Sequence, residues 1–359
     1  MSSNESSSYL PDLPVIDWAS IGHEPPRIIP FEYKGPTAPL PEADMVVMTW
    51  TDAEWSAFDH VFVDSRIPRG PNSSWEWQAA WKLYARNAPD VAPKLWGKYM
   101  IVGIKNKSGV EQKVIVFKSD THLAHKPNSE GLAEMVKLIC EDAKPKQLYS
   151  IGTSGGARIT ENLGDVNVTN AGYAKMKKEV NLKYNDKSVK GKFYPPFTLI
   201  PEVEKLFMPL SKVMDKDEFY YLIYELHKQS AESKNFWYED LVNAPLDPSN
   251  TDQPKALENK DIPLLTTDYY FIAKGDDTKQ YSALEMDDTV IGIAAEAAGV
   301  DFCFVRNISD TVVADKAKDG TTIPDKVRSD WSSLIYQTAG FYTSFNGALT
   351  AWALIAGQE

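Results

Sequence analysis

The chain reads as an α/β protein: one three-layer α/β/α domain over residues 44–359 on a mixed central sheet, with a mostly helical insertion at about 185–262 and an extended segment, 1–43, ahead of it. Two observations carry that expectation. Short apolar runs bounded by turn residues alternate with stretches whose apolar residues recur at helical spacing, the pattern of strands and helices sharing one sheet. The stretch from Ser282 to Val313 holds a whole unit of this kind. An acidic turn is followed by Leu284, Met286, Val290, Ile293 and Ala297 on one helix face, and Gly299 closes that helix. Phe302-Cys303-Phe304-Val305 is then a buried strand, and Asn307-Ile308-Ser309-Asp310 falls at its carboxyl end, where open α/β sheets collect their chemistry.

Taken in order, residues 1–43 are Ser-rich and then Pro-rich, so they should be extended and poor in regular structure. Ile28, Ile29, Phe31 and Tyr33 could pack them on the body or on a neighbouring subunit. Asp44 to Trp50 is the first buried strand, and Thr51 is placed to cap a helix beginning at Asp52. Trp75, Trp77 and Trp81 share a helix and serve packing. Tyr99–Ile104 and Lys113–Phe117 form a hairpin around Asn106–Gly109. Leu132–Cys140 is helical, Gln147–Ile151 is a strand entering a glycine-rich loop at 152–156, and Leu163–Val168 is another strand. Residues 185–262 show no strand pattern: Glu202–Met214 and Glu218–Lys234 read as helices and Asn243–Lys260 as a loop. That is more material than a sheet connection needs, so it should cover the site or build an interface. Ile262–Ile272 returns to the sheet, and an apolar, aromatic helix runs from Trp331 to Ile355, which would suit a subunit interface.

Composition excludes several classes. The net charge is −12, with 50 acidic against 38 basic residues, which argues against a nucleic-acid partner. Cys140 and Cys303 are the two cysteines and lie far apart, so neither a disulfide scaffold nor a cysteine metal site is expected. His122 and His125 have no carboxylate or cysteine at helpful spacing, and no metal or cofactor is expected. The first residues lack a basic segment followed by an apolar one, and no apolar run reaches the roughly 18–20 residues of a membrane span. A soluble, cytoplasmic protein without a membrane partner is the expectation.

The order Glu285-Met286-Asp287, helix, strand, Arg306-Asn307-Ile308-Ser309-Asp310 resembles the C-terminal signature of the nucleoside phosphorylase/nucleosidase family, whose members show a Met-Glu pair before the helix and a Ser-Asp pair after the strand. Asp287 departs from it, standing where glutamate is usual. Three more segments resemble the family. Gly152-Thr153-Ser154-Gly155-Gly156 with Gly164-Asp165-Val166 is similar to its glycine-rich strand end and the sequel to it. Met48 to Glu54 looks like the first strand and acidic turn of methylthioadenosine/S-adenosylhomocysteine-type nucleosidases. Thr266 to Phe271 looks like the segment whose aromatic ring lies against the purine. The likeness runs from residue 44 to about 313, with 185–262 unmatched.

The resemblance implies a nucleoside phosphorylase-like fold, a homo-oligomer and a small nucleoside substrate. It implies Asp310 as the acid that protonates purine N7, with Ser309 orienting it, and Glu54 as the base that activates water. It further implies Asp287 at the ribose hydroxyls with Glu285 beside it, Met286 against the sugar, Tyr270 and Phe271 at the base, and Ser154 and Gly155 near the ribose. A side chain one methylene short sets the Asp287 carboxylate back by roughly 1.5 Å, so the backbone must compensate, a water must bridge, or the ribose must bind differently.

Phosphorylases of the family hold phosphate with arginines after the first strand and three residues before the Ser/Thr of the glycine loop. Here those places carry Trp50-Thr51-Asp52-Ala53-Glu54 and Ser150. A phosphate dianion without charge-assisted donors is costly to desolvate, so water is favoured as acceptor and hydrolysis as the reaction. Arg66, Arg69 and Arg158 are the residues that could still supply a phosphate site. Phosphorolysis and a non-catalytic nucleoside-binding or storage role on the same fold stay open as alternatives.

Overall fold

The computed structural model describes residues 10–359 apart from 72, 92–93, 159, 230–252, 275–276, 311, 313–314 and 318. The strands are β1 (Arg27–Ile28), β2 (Met45–Thr49), β3 (Lys82–Tyr84), β4 (Gly97–Lys105), β5 (Glu111–Ser119), β6 (Gln147–Gly155), β7 (Val166–Thr169), β8 (Ala171–Lys175), β9 (Ser188–Lys190), β10 (Ala256–Glu258), β11 (Leu264–Thr267), β12 (Leu284–Glu285) and β13 (Asp301–Asp310). The helices are α1 (Asp52–Phe62), α2 (Asn128–Ala143), α3 (Ile200–Val203), α4 (Leu210–Val213), α5 (Lys216–His227), α6 (Asp288–Ala297) and α7 (Asp325–Ala356).

Alternation along the central strands builds two cores. Met45 and Val47 of β2 face one side with Val114 and Val116 of β5 and Cys303 and Val305 of β13, where α1 and α7 cover them. Val46 and Met48, Ile115 and Phe117, and Phe302 and Phe304 face the other side, under α2 and α6. Successive side chains on a strand point to opposite faces, so a strand covered on both faces must be apolar throughout. This is the expected α/β/α layering on a mixed sheet.

Strands β5, β2, β6 and β13 run parallel, and β4 joins β5 as the expected antiparallel hairpin. Beyond β13 the sheet curls. β13 pairs antiparallel with β7, the chain continues through Asn170 into β8, and β8 pairs parallel with β11. β11 pairs with β12, and Leu284 of β12 returns to Gly155 at the end of β6. That half of the sheet therefore closes on itself. At its mouth Gly155 meets both Leu284 and Asp310, and a register shift between Ile308 and Asp310 bends the end of β13.

Several local expectations change. Residues 152–155 are the end of β6, not a loop. Trp75–Ala80 is a 3₁₀ helix capped by Ser74, with Trp77 and Trp81 packed edge-on to Trp55 and Trp75 exposed. The single helix expected over 202–214 breaks into α3, a 3₁₀ turn and α4, because Pro209 excludes a helical residue before it. The insertion does contain strands, β9 and β10, each three residues long and too short to show alternation. Residues 230–234 of the expected second helix and 243–252 of the expected loop lie outside the described residues.

The N-terminal segment wraps the body: Trp18 packs on Trp352 at 4.5 Å between ring centroids, and Phe31 stacks on Tyr99. Every residue of α7 from Thr338 to Ala356 is buried in the chain's own core, so the apolarity that suggested an interface is explained within one protomer. Among the described residues no helix is long and apolar enough to cross a membrane.

Candidate active site

A cavity of about 200 Å³ opens at the carboxyl ends of β2, β6, β11 and β13. All ten residues singled out from the sequence line it: Glu54, Ser154, Gly155, Tyr270, Phe271, Glu285, Met286, Asp287, Ser309 and Asp310. Trp50, Thr51, His122, Thr153, Thr267, Arg306 and Tyr336 line it as well, without having been chosen.

Glu54 has two jobs, one per oxygen. Thr51 caps α1, and Glu54 Oε2 folds back on the backbone N–H of Trp50 (3.1 Å) and Thr51 (2.8 Å), forming a capping box. Oε1 crosses to β6 and accepts from Thr153 N (2.8 Å) and Thr153 Oγ1 (2.7 Å). Capping alone explains only the first pair. Gly152 makes room for this arrangement: a Cβ there would strike Arg306 Nη1 and stand 3.2 Å from Glu54 Oε1.

Arg306, which β13 places beside Glu54, is fully committed. Its Nε donates to Asp288 Oδ2 at 2.7 Å, Nη2 donates to Asp288 Oδ1 and to Ser150 Oγ (3.1 Å), and Glu285 Oε2 lies 3.5 Å away. Ser150 in turn donates to Asp288 Oδ1 at 2.6 Å. Burial opposes the guanidinium charge, yet Asp288 and Glu285 outweigh it and hold Arg306 above its ordinary range. Burial and the neighbouring Asp288 push Glu285 up to about 8. Glu285 was expected beside the sugar. Instead its carboxylate turns inward, accepting from the N–H of Asp287 and Asp288 and from the Thr266 hydroxyl. Two consecutive N–H groups at the start of α6 draw it there.

The arginines that could have held phosphate are elsewhere. Arg66 is exposed beside Asp64, Arg69 is buried against Asp59 at 2.7 Å, and Arg158 reaches Asn259 at 3.0 Å. None lines the cavity.

Asp310 ends β13, where burial pushes its carboxyl above the usual range. Ser309 Oγ donates to Oδ1 at 3.0 Å, while Oδ2 accepts from Ser332 Oγ (2.6 Å) and the Tyr270 hydroxyl (3.4 Å). The two hydroxyls also meet each other at 2.8 Å. Tyr270 therefore has its hydroxyl on the acid while its ring stands half-exposed at the mouth. Gly155 lets the carboxylate come close, since a Cβ there would lie 3.2 Å from Oδ2. Ser154 lines the cavity, but its hydroxyl faces the Asn307 carbonyl, and by alternation Thr153 is the residue turned to Glu54. Asp287 is held by the loop after β5: Oδ1 accepts from Leu123 N at 2.8 Å and Oδ2 lies 3.1 Å from His122 Nε2.

The missed residues differ in how visible they were. Arg306 and Asp288 sit inside the quoted motif, and a charged pair bracketing an apolar helix and strand is a fair signal of a buried ion pair. Ser332, Tyr336 and His122 carry no local signal.

No family model matches the chain, and no curated protein does. The chain is similar in structure to known nucleosidases. One is the 5′-methylthioadenosine/S-adenosylhomocysteine nucleosidase of Neisseria meningitidis in complex with methylthio-immucillin-A, with TM-score 0.45, 9% identity, and 87% of this chain and 99% of that chain covered. The S-adenosylhomocysteine nucleosidase of Streptococcus pyogenes gives 0.44 and 13%, with 88% and 98% covered. The futalosine hydrolase of Helicobacter pylori gives 0.41 and 8%, with 86% and 97% covered. These likenesses are faint, and the functional reading rests on the side chains.

Proposed function

We propose that the chain is a purine nucleoside N-ribohydrolase, a nucleosidase that cleaves the N-glycosidic bond with water to give free base and ribose. The observation that carries this reading is the state of Arg306. It is the one arginine lining the cavity among the described residues, and Asp288, Ser150 and Glu285 occupy it. Glu54 and Asp287 line the same space, so a phosphate dianion would enter a negative site with no unpaired cation to meet it. An uncharged nucleophile fits.

Departure of a purine through an oxocarbenium-like transition state needs a proton at N7 and a base behind C1′. Burial raises the Asp310 carboxyl above its ordinary range, which favours the protonated form that supplies the proton. Glu54 accepts from four donors, and a water at the cavity would replace the Thr153 hydroxyl on Oε1, the one donor of the four that can rotate away. Asp287 accepts from the ribose, and the Tyr270 ring at the mouth offers a face for the base, a stack worth about 1–3 kcal/mol.

The test is release of base from a nucleoside panel with and without phosphate, resolved by chromatography. Free purine and ribose in phosphate-free buffer are expected, and Asp310→Asn should lower the rate by at least about 10²-fold with folding intact. Strict phosphate dependence and ribose 1-phosphate as product would assign a phosphorylase instead. Tight nucleoside binding without turnover would assign a binding protein.

A further inference from the structure

His122 has no part in the chemistry above, yet its contact with the ribose-facing Asp287 is built with care. Both side chains line the cavity, and Asp287 is nearly inaccessible at 2% exposure. We propose that His122 is a positioning residue that orients the Asp287 carboxylate toward the ribose diol, and thereby makes the site selective for ribonucleosides over 2′-deoxyribonucleosides. The proposal rests on the nucleosidase reading for where the ribose lies.

The hydrogen bonds settle the tautomer. Ala124 N–H donates to His122 Nδ1 at 3.0 Å, so in the neutral ring the proton is on Nε2. Nε2 lies 3.1 Å from Asp287 Oδ2 and is the donor of that contact. The neighbouring Leu123 N–H donates to Oδ1 at 2.8 Å, so one short loop supplies one donor to each oxygen. That loop is itself fixed: Leu123 is fully buried and its carbonyl accepts from Asn128 Nδ2 at 2.9 Å.

A carboxylate offers about four acceptor directions, and the loop fills two. The two left over match the two donors of a cis-diol. With both ring nitrogens engaged, His122 offers no acceptor of its own to a sugar hydroxyl, so its effect passes through Asp287. The arrangement also answers how an aspartate can serve where a longer side chain would reach further: the loop comes to the carboxylate and holds it at the cavity wall.

The experiment uses the full-length protein with adenosine and 2′-deoxyadenosine, reading kcat and KM by base release and affinity by titration calorimetry. His122→Ala is expected to raise KM for adenosine about tenfold, the loss of one hydrogen bond to a charged group, with kcat much less changed. The deoxynucleoside should barely respond, so the ratio of the two kcat/KM values falls about tenfold. His122→Gln, which keeps a donor, should retain most of the selectivity. Equal losses for both substrates, or an unmoved ratio, would overturn the proposal while leaving the nucleosidase reading intact. If wild type binds both nucleosides without turnover and His122→Ala still levels the two affinities, the hydrolase reading falls and His122 stands. Failure of wild type to bind or cleave either nucleoside overturns both.

Discussion

Replacing Ser332 by alanine isolates what the C-terminal helix does for the acid. The serine hydroxyl lies 2.6 Å from Asp310 Oδ2 and 2.8 Å from the Tyr270 hydroxyl, with Ser332 and Asp310 both buried. A hydroxyl donor favours the ionised carboxylate, so its removal leaves Asp310 to the desolvation that already holds its carboxyl high. A hydrogen bond to a charged group contributes about 1.5–3 kcal/mol, and the Tyr270 hydroxyl, now at 3.4 Å, can recover part of that by moving in. At about 1.4 kcal/mol per pH unit, the remainder is a rise of about one unit. Because the acid must be protonated to work, the alkaline limb of the base-release profile should move up by about one pH unit. Stability should report the same change. A carboxyl whose pKa is raised by folding contributes stability in acid and loses it as the pH climbs through the folded value. The variant should therefore fall below wild type by about 1.4 kcal/mol more at alkaline pH than in acid. Initial rates across the pH range, with urea unfolding at both ends, measure both effects, and Ser332→Thr should keep the wild-type limb. A uniform loss of rate at every pH, with the limb in place, would refute the reasoning and leave Ser332 a packing residue.

Three further outcomes are expected. Glu54→Gln sets an amide donor against the N–H groups it now accepts from, so it should lose about 1 kcal/mol of helix capping as well as at least about 10²-fold in turnover. Urea titration and steady-state rates separate the two losses. Arg306→Met strands Asp288 and Glu285 without their cation and should destabilise the fold by about 3–5 kcal/mol; a wild-type urea midpoint at neutral pH would contradict the buried network. Burial pushes the Glu161 carboxyl up to about 7 even though it accepts from Ala157 N, Arg158 N and Asn167 Nδ2. Its contribution is full in acid and lost as the pH rises through that value, on the order of 3 kcal/mol in all. Unfolding free energy should decline between weakly acid and weakly alkaline buffer, and Glu161→Gln, which cannot ionise, should flatten the decline.

Much of the fold was legible because its signals are local. Val46, Val47 and Met48 are apolar on both sides of the strand, Gly299 with φ +72° ends its helix, and Thr51 with Glu54 is a capping box within four residues. The ten site residues were legible as motifs, since a strand end followed at fixed spacing by Ser309-Asp310, or an acidic turn before a helix, is short-range information. Where local signals were weak the expectations changed: β9 and β10 are too short for alternation, Pro209 outweighed helical periodicity, and the apolarity of α7 is taken up by the chain's own core.

What each site residue is bonded to was decided by tertiary structure. Leu123 and Asp287 are 164 positions apart, Thr153 and Glu54 are 99 apart, and Ser332 reaches Asp310 from a helix on another layer. Neither periodicity nor propensity carries information over such separations. Closure of the sheet from β6 through β13, β8 and β11 back to β12 is what brings Gly155, Leu284 and Asp310 to one mouth. The sequence alone determined which chemical groups stand at strand ends and helix starts, because backbone geometry sets those from neighbouring residues. Long-range packing decided which groups are paired across the sheet: Ser150 joined the Asp288–Arg306 pair and His122 became the partner of Asp287, since a buried charge takes whichever donors the closed sheet brings within reach.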